Sequence, residues 1–134
     1  MIVEWKEEYS IGLEEMDNHH KKLIDLLNRS YLLVLQDDKQ TELSKLLFEL
    51  LSYAKYHFSA EEELMREYQY ENMDQHEIQH LSFINKVVTY KKDLGTGMNY
   101  LSVEIFDFIR NWLLNHILEV DAEMGKSICS KRRA

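Results

Sequence analysis

Four segments of this chain carry apolar residues at alternating steps of three and four, the spacing that puts side chains on one face of an α-helix. The chain has no proline, and its glycines are Gly12, Gly95, Gly97 and Gly125, outside the strongly periodic segments. Because proline and glycine are the strongest helix breakers, almost the whole chain can be helical. The pattern predicts an all-α fold: an up-down-up-down antiparallel four-helix bundle joined by short turns.

The 134 residues are enough for one domain with a buried core. Residues 1–15 show no helical period and predict an irregular N-terminal arm packed against the bundle. Residues 16–125 predict the four-helix bundle, and residues 126–134 predict a basic C-terminal tail. Asp17 or Asn18 is expected to cap the first helix.

The turns follow from local sequence. The first helix is expected to run to about Leu35 and the second to start near Thr41, with a turn at residues 36–39 between them. Residues 70–72 should break the second helix, and the glycines of residues 95–97 should end the third.

Composition limits the class of protein. The net charge of −8 disfavours binding to nucleic acid. No apolar stretch approaches the roughly 20 residues that a membrane span needs, and the N-terminus does not resemble a signal peptide. A single cysteine, Cys129, fits a reducing compartment. A cytoplasmic protein, most simply a monomer, is expected.

Polar residues interrupt the apolar stripes in four places. These clusters are Asp17-Asn18-His19-His20, His57-Phe-Ser-Ala-Glu61, His76-Glu-Ile-Gln-His80 and His116-Ile-Leu-Glu-Val-Asp121. Two residues four apart on a helix differ by about 40° in direction and about 6 Å in height, so they share a face. Imidazole and carboxylate groups suit iron, zinc or manganese. Since unpaired buried polar groups are costly, the clusters predict a buried metal centre with two ions.

Helix lengths give an independent test of this prediction. The first helix extends roughly 22 Å along the bundle axis from His20 to its end, and the second runs back roughly 24 Å from its start to His57. His20 and His57 should therefore lie at nearly the same level. The third helix climbs roughly 21 Å after His80, and the fourth descends roughly 25 Å to His116. All four clusters should therefore meet within about one helical turn, near one end of the bundle.

Two clusters contain an ambiguity. The helical phase of Leu23 and Leu27 selects His20 as the inward residue and leaves His19 as a solvated neighbour. His116 and Asp121 differ by about 140° on an α-helix, so they should not bind one ion side by side. An aspartate lying across two ions fits this offset better.

These residues together resemble those of the bacterial hemerythrins, non-haem di-iron proteins that bind dioxygen reversibly. The matching elements are Trp5, Ser10-Ile11-Gly12, Asp17-x-x-His20-Lys-x-Leu23, His57-Phe58-x-x-Glu61-Glu62-x-x-Met65, His76-x-x-x-His80-x-x-Phe83 and Trp112-x-x-x-His116-Ile117-x-x-x-Asp121. The resemblance spans essentially the whole chain, and every position where the family has a ligand carries one here.

The resemblance implies a specific set of metal ligands. One iron would be bound by His76, His80 and His116, the other by His20 and His57, with Glu61 and Asp121 bridging the two. An oxo or hydroxo group would add a third bridge, and the second iron would keep an open position for dioxygen. An apolar pocket is expected there, lined by Leu118 and Ile117 and by Leu23, Leu27 or Phe58.

The predicted function is reversible dioxygen binding, as a carrier, store or scavenger, and not catalysis. Five histidines against two carboxylates favour reversible binding, because ferritin-like di-iron enzymes use a carboxylate-rich ligand set. The alternatives are a di-iron oxidase or peroxidase, a nitric-oxide-handling enzyme, an iron storage or repair protein, and a stand-alone oxygen sensor. Zinc could also occupy these ligands.

Overall fold

The structure is a computed structural model, and it describes residues 3–36, 40–94 and 101–133. The helices are α1 (Glu14–Val34), α2 (Gln40–Glu67), α3 (Met73–Leu94), α4 (Leu101–Asn115) and α5 (Ala122–Arg133). A π-helical segment, His116–Asp121, joins α4 to α5 without a break in the helix. A short 3-10 helix, Glu7–Tyr9, lies in the N-terminal arm.

The helices pack in a closed ring. α1 lies against α2 and α4, and α3 lies against the same two neighbours, so each helix contacts those next to it around the bundle. The predicted all-α four-helix bundle is confirmed. None of the described helices is both long enough and apolar enough to cross a lipid bilayer.

Two clusters of buried side chains divide the interior. The main core fills most of the bundle on one side of the boundary between them, and a smaller group that we call the end cluster closes the other end. The end cluster consists of Ile11, Leu13, Met16, Met65, Tyr70, Met124 and Ile128. Along α1, His20 lies between Met16 of the end cluster and Leu23 of the main core. The predicted ligands therefore form a polar layer between two apolar ones.

The N-terminal arm is fastened to α1 by two side chains. Asn28 accepts a hydrogen bond from the backbone N–H of Val3 and donates one to its carbonyl oxygen, both at 2.8 Å. Asp17 accepts hydrogen bonds from the Ser10 hydroxyl and from the backbone N–H of Ile11, at 2.5 and 2.9 Å. The arm therefore packs on the bundle.

The start of α1 differs from the prediction. The helix begins at Glu14 with Leu13 at the N-cap position and no side-chain cap. The assignment of Asp17 or Asn18 as the cap is wrong, because the Asp17 carboxylate lies inside the first turn and binds the arm instead.

The C-terminal segment also differs from the prediction. Residues 126–133 belong to α5, and Ile128 is buried in the end cluster, so the expected tail is the last part of the bundle. Basic residues near its end pair with the bundle: the Lys131 ammonium donates to the Tyr68 carbonyl oxygen at 2.7 Å, and Arg132 lies 2.9 Å from Glu15. The break after α2 lies where it was predicted, whereas the glycines of residues 95–97 lie outside the described residues.

Candidate metal centre

The structure brings all seven predicted ligands together in the polar layer. His20 comes from α1, His57 and Glu61 from α2, His76 and His80 from α3, and His116 and Asp121 from the π-helical segment. Their exposed fractions range from 0 to 3 %. Helical rise and phase placed these side chains at one level and facing inward, as the sequence predicted.

The π-helical segment changes the relation between His116 and Asp121. A π-helix has hydrogen bonds between residues five apart, so its turn is wider than that of an α-helix. His116 Nε2 accordingly lies 3.0 Å from Asp121 Oδ1. The expectation that these residues could not bind one ion side by side is wrong. Their five-residue offset was itself the sequence signal, because it fits one turn of π-helix.

The two oxygens of Glu61 face different histidines. Its Oε1 lies 3.0 Å from His80 Nε2 and 3.4 Å from His76 Nε2. Its Oε2 lies 3.2 Å from His57 Nε2 and 3.6 Å from His20 Nε2. The carboxylate therefore stands between the two groups of imidazoles.

Asp121 divides its oxygens in the same way. Its Oδ1 lies 3.0 Å from Nε2 of both His76 and His116, and its Oδ2 lies 3.1 Å from His20 Nε2. Two compact ligand groups result. The first contains His76, His80 and His116, the second contains His20 and His57, and both contain Glu61 and Asp121.

The buried polar atoms of this layer have a chemical requirement that the described residues do not meet. Both carboxylate oxygens of Glu61 and of Asp121 lack a hydrogen-bond donor among the described side chains, and so does Nε2 of His80 and of His116. An unsatisfied buried group costs about 1–3 kcal/mol, and more when it is charged. The inward nitrogens bring lone pairs towards carboxylate oxygens, an arrangement that a cation between them stabilises. The side chains present therefore fit two metal ions.

Electrostatics of the side chains alone point the same way. Burial lowers the pKa of His20, but the attraction of the nearby Asp121 and Glu61 carboxylates outweighs it and raises that pKa to about 9. The pKa of His76 is raised to about 9 for the same reasons. Burial opposes ionisation of Glu61, yet His57 and the other imidazoles that face it hold its pKa well below the ordinary value. The pKa of Asp121 is also lowered, since the attraction of His116 and His20 exceeds burial and repulsion by Glu61. The two carboxylates therefore remain ionised and are stabilised by positive charge beside them, which protonated imidazoles or metal ions can supply.

Three of the five imidazoles have a partner on the outward nitrogen. His80 Nδ1 is 2.9 Å from Glu62 Oε2, and His116 Nδ1 is 2.9 Å from Gln79 Oε1. Such contacts orient metal-binding imidazoles. Sequence reasoning did not identify these residues, although Glu62 and Gln79 each adjoin a predicted ligand and could have been found by that signal.

His19 is the third partner, and its position differs from the one predicted. It is half-buried, and its Nδ1 lies 2.9 Å from His57 Nδ1. The pKa of His19 is lowered by burial and by the charge of His57. It is therefore not a solvated neighbour, because the packing of α1 against α2 presents this flank of α1 to a ligand.

The predicted pocket residues separate into two groups. Leu23, Leu27, Phe58 and Ile117 are buried in the main core beside the ligand layer. Phe58 stacks on His80 with ring centroids 3.9 Å apart. Leu118 is 42 % exposed and lies outside this buried group, in contrast to its expected place in the lining of the apolar pocket. Ile117, its neighbour in the π-helical segment, takes the inward position instead.

Fold and site together define a class: helical bundle proteins that enclose a histidine-rich site for two ions with shared carboxylates. The model of the hemerythrin HHE cation binding domain matches residues 11–127. The chain is 34 % identical to a bacteriohemerythrin of Clostridium acetobutylicum over 123 residues, which cover 89 % of this chain and 95 % of the relative. The chain belongs to the hemerythrin family.

Other relatives agree with this assignment. A bacteriohemerythrin of Stenotrophomonas maltophilia is 32 % identical over 117 residues, covering 87 % of this chain and 74 % of that protein. A crystal structure of wild-type hemerythrin superimposes with a TM-score of 0.87 at 25 % identity, covering 96 % of this chain and 98 % of the other. The bundle is thus the fold of a known hemerythrin.

Proposed function

We propose that this protein binds dioxygen reversibly at a pair of iron ions and serves as an oxygen carrier, store or scavenger. The observation that carries the proposal is the unequal division of ligands between the two groups. The first group offers three imidazoles and two carboxylate oxygens, whereas the second offers two imidazoles and two carboxylate oxygens. The second ion would have one protein ligand fewer, which leaves room for a small molecule.

Each ligand has a specific role in this proposal. His76, His80 and His116 would hold the first ion, and His20 and His57 the second. Glu61 and Asp121 would bridge the ions, since each directs one oxygen to either group. When bound, a pair of ferrous ions supplies the electrons that dioxygen binding withdraws.

The side chains around the layer keep it dry. Leu23, Leu27 and Ile117 are at most 1 % exposed, and with Phe58 they form the apolar boundary on the side of the main core. An apolar boundary keeps water, and the protons that water carries, away from the ligand layer. The neutral imidazoles that dominate the ligand set further favour release of intact dioxygen over its use as an oxidant.

The test combines metal analysis with visible absorption of the anaerobically reduced protein. Two irons per chain, with a colour that appears on adding oxygen and fades on purging with argon, would support the proposal. Irreversible oxidation together with turnover of a substrate would favour an oxidase or peroxidase. Rapid loss of iron to a chelator would favour storage or repair, and a single bound zinc would overturn the di-iron assignment.

A further inference from the structure

The acceptors on the outward imidazole nitrogens differ in charge. His80 faces the carboxylate of Glu62, His116 faces the amide oxygen of Gln79, and His57 faces the imidazole of His19, each at 2.9 Å. His57 belongs to the ligand group with fewer protein donors. The ion with the open position would thus be held through an imidazole whose acceptor is a second, uncharged imidazole.

The chemistry of two adjoining imidazoles fixes their tautomers. His57 turns its Nε2 towards Glu61, so a metal ion would be bound by that nitrogen, and its proton must then lie on Nδ1. The Nδ1 of His19, 2.9 Å away, must accept that proton's hydrogen bond. His19 therefore carries its own proton on Nε2 and is neutral when the ion is bound.

Packing holds the His19 ring in place for this contact. Its centroid lies 5.8 Å from that of Tyr53 and 5.2 Å from that of Tyr56, both on α2. The ring of His57 lies 5.0 Å away in an edge-on arrangement. A side chain in contact with three rings is ordered by its surroundings and is not a freely rotating surface histidine.

We propose that His19 is a positioning residue for the second ion: it fixes the ring of His57 and, as a neutral acceptor, keeps His57 a weaker electron donor than His80. The inference rests on the two-iron site proposed above. An anionic acceptor makes an imidazole more basic and stabilises ferric iron, whereas a neutral acceptor does so less. Both ions must be ferrous to bind dioxygen, and the one with the open position is the one whose His57 ligand has a neutral acceptor.

Three substitutions of His19 distinguish the effect of having a hydrogen-bond acceptor beside His57 from the effect of that acceptor's charge. His19→Gln offers a neutral amide oxygen, as Gln79 already does for His116. His19→Glu offers an anionic acceptor, as Glu62 does for His80. His19→Leu offers none, and Gln79→Leu is the matched control because it removes a neutral acceptor from the other ligand group.

The readouts are the reduction potential of the iron-loaded protein, its binding of metal, and the His57 Nδ1–H proton resonance of the zinc-loaded protein. His19→Glu should favour the ferric state of one iron about tenfold, which lowers its potential by about 59 mV. His19→Leu should weaken binding of one metal ion roughly 10- to 100-fold and expose the Nδ1–H resonance to rapid solvent exchange. His19→Gln should restore the binding of metal and the protection of the His57 Nδ1–H proton that His19→Leu loses. Gln79→Leu should leave the His57 resonance unchanged.

The opposite results would overturn the inference. Variants with native helical content that bind two ions, retain the wild-type potential and keep the His57 resonance protected would show that His19 does not act on His57. Loss of binding in His19→Leu that His19→Gln does not restore would also count against it. If the wild-type chain bound no metal, the proposed function and this inference would fail together.

Discussion

The N-terminal arm packs tightly against α5 at Gly125. A Cβ built there would lie 2.3 Å from the Ile11 carbonyl oxygen and 2.9 Å from the Ile11 Cβ, much closer than such atoms normally come. The nearest atom is backbone, so a side-chain rotation cannot relieve the clash. In Gly125→Ala the arm must move away from α5.

Two opposing effects set the size of the change. Alanine in a helix is favoured over glycine by about 1 kcal/mol, whereas inserting a group into a filled space costs about 1–3 kcal/mol. Displacement of Ile11 also opens the end cluster and disturbs the hydrogen bond between Asp17 and the Ile11 N–H. The disturbed hydrogen bond adds about 0.5–1.5 kcal/mol to the cost, so we expect a net loss of about 1–2 kcal/mol, which lowers the melting temperature by roughly 3–8 °C in a chain of this size.

Thermal unfolding of Gly125→Ala and of wild type, each stripped of metal, measures this loss directly. Ser130→Ala is the matched control, since Ser130 is exposed on the same helix and its substitution should change stability by less than about 0.5 kcal/mol. Because Ile11 helps to close the end cluster beside the ligand layer, Gly125→Ala should also release bound metal to a chelator faster. A melting temperature equal to or above that of wild type would refute the packing argument.

Three further predictions concern the ligand layer and its surroundings. His80→Ala removes one of three imidazoles from the first ligand group, and metal analysis should show loss of bound iron; full retention of two irons would contradict the assignment. Ile117→Ala should keep iron but speed oxidation to the diferric form, whereas Leu118→Ala, at an exposed position, should match wild type. Equal oxidation rates in both variants would contradict the proposal that Ile117 belongs to an apolar boundary that keeps water from the ligand layer. In protein stripped of metal, the pKa values of about 9 for His20 and His76 mean that their stabilising contribution is complete below pH ~6.5 and is lost as the pH rises through ~9. Its melting temperature should therefore fall between pH 7 and about 9.5, and a rise over that range would contradict the ion pairs.

Helical periodicity predicted the features that depend on a single helix, such as which side chains face the interior. The inward direction of His20 follows from its phase with Leu23, and the shared face of His76 and His80 follows from their four-residue spacing. The common level of the ligands followed from helix lengths, because the rise per residue is nearly constant. The start of α1 was predicted less well, since the role of Asp17 depends on where the arm passes.

The sequence by itself determined the bundle, the seven candidate ligands and their burial, because helix period and rise are local properties of the backbone. Only the tertiary structure decided how atoms of different helices meet. It showed the π-helical turn that aligns His116 with Asp121, the contact of His19 with His57, and the outward direction of Leu118. Each of these features depends on how tightly a helix is wound and how it packs on its neighbours. A small rotation of a helix about its axis is enough to turn a side chain from the interior to the surface.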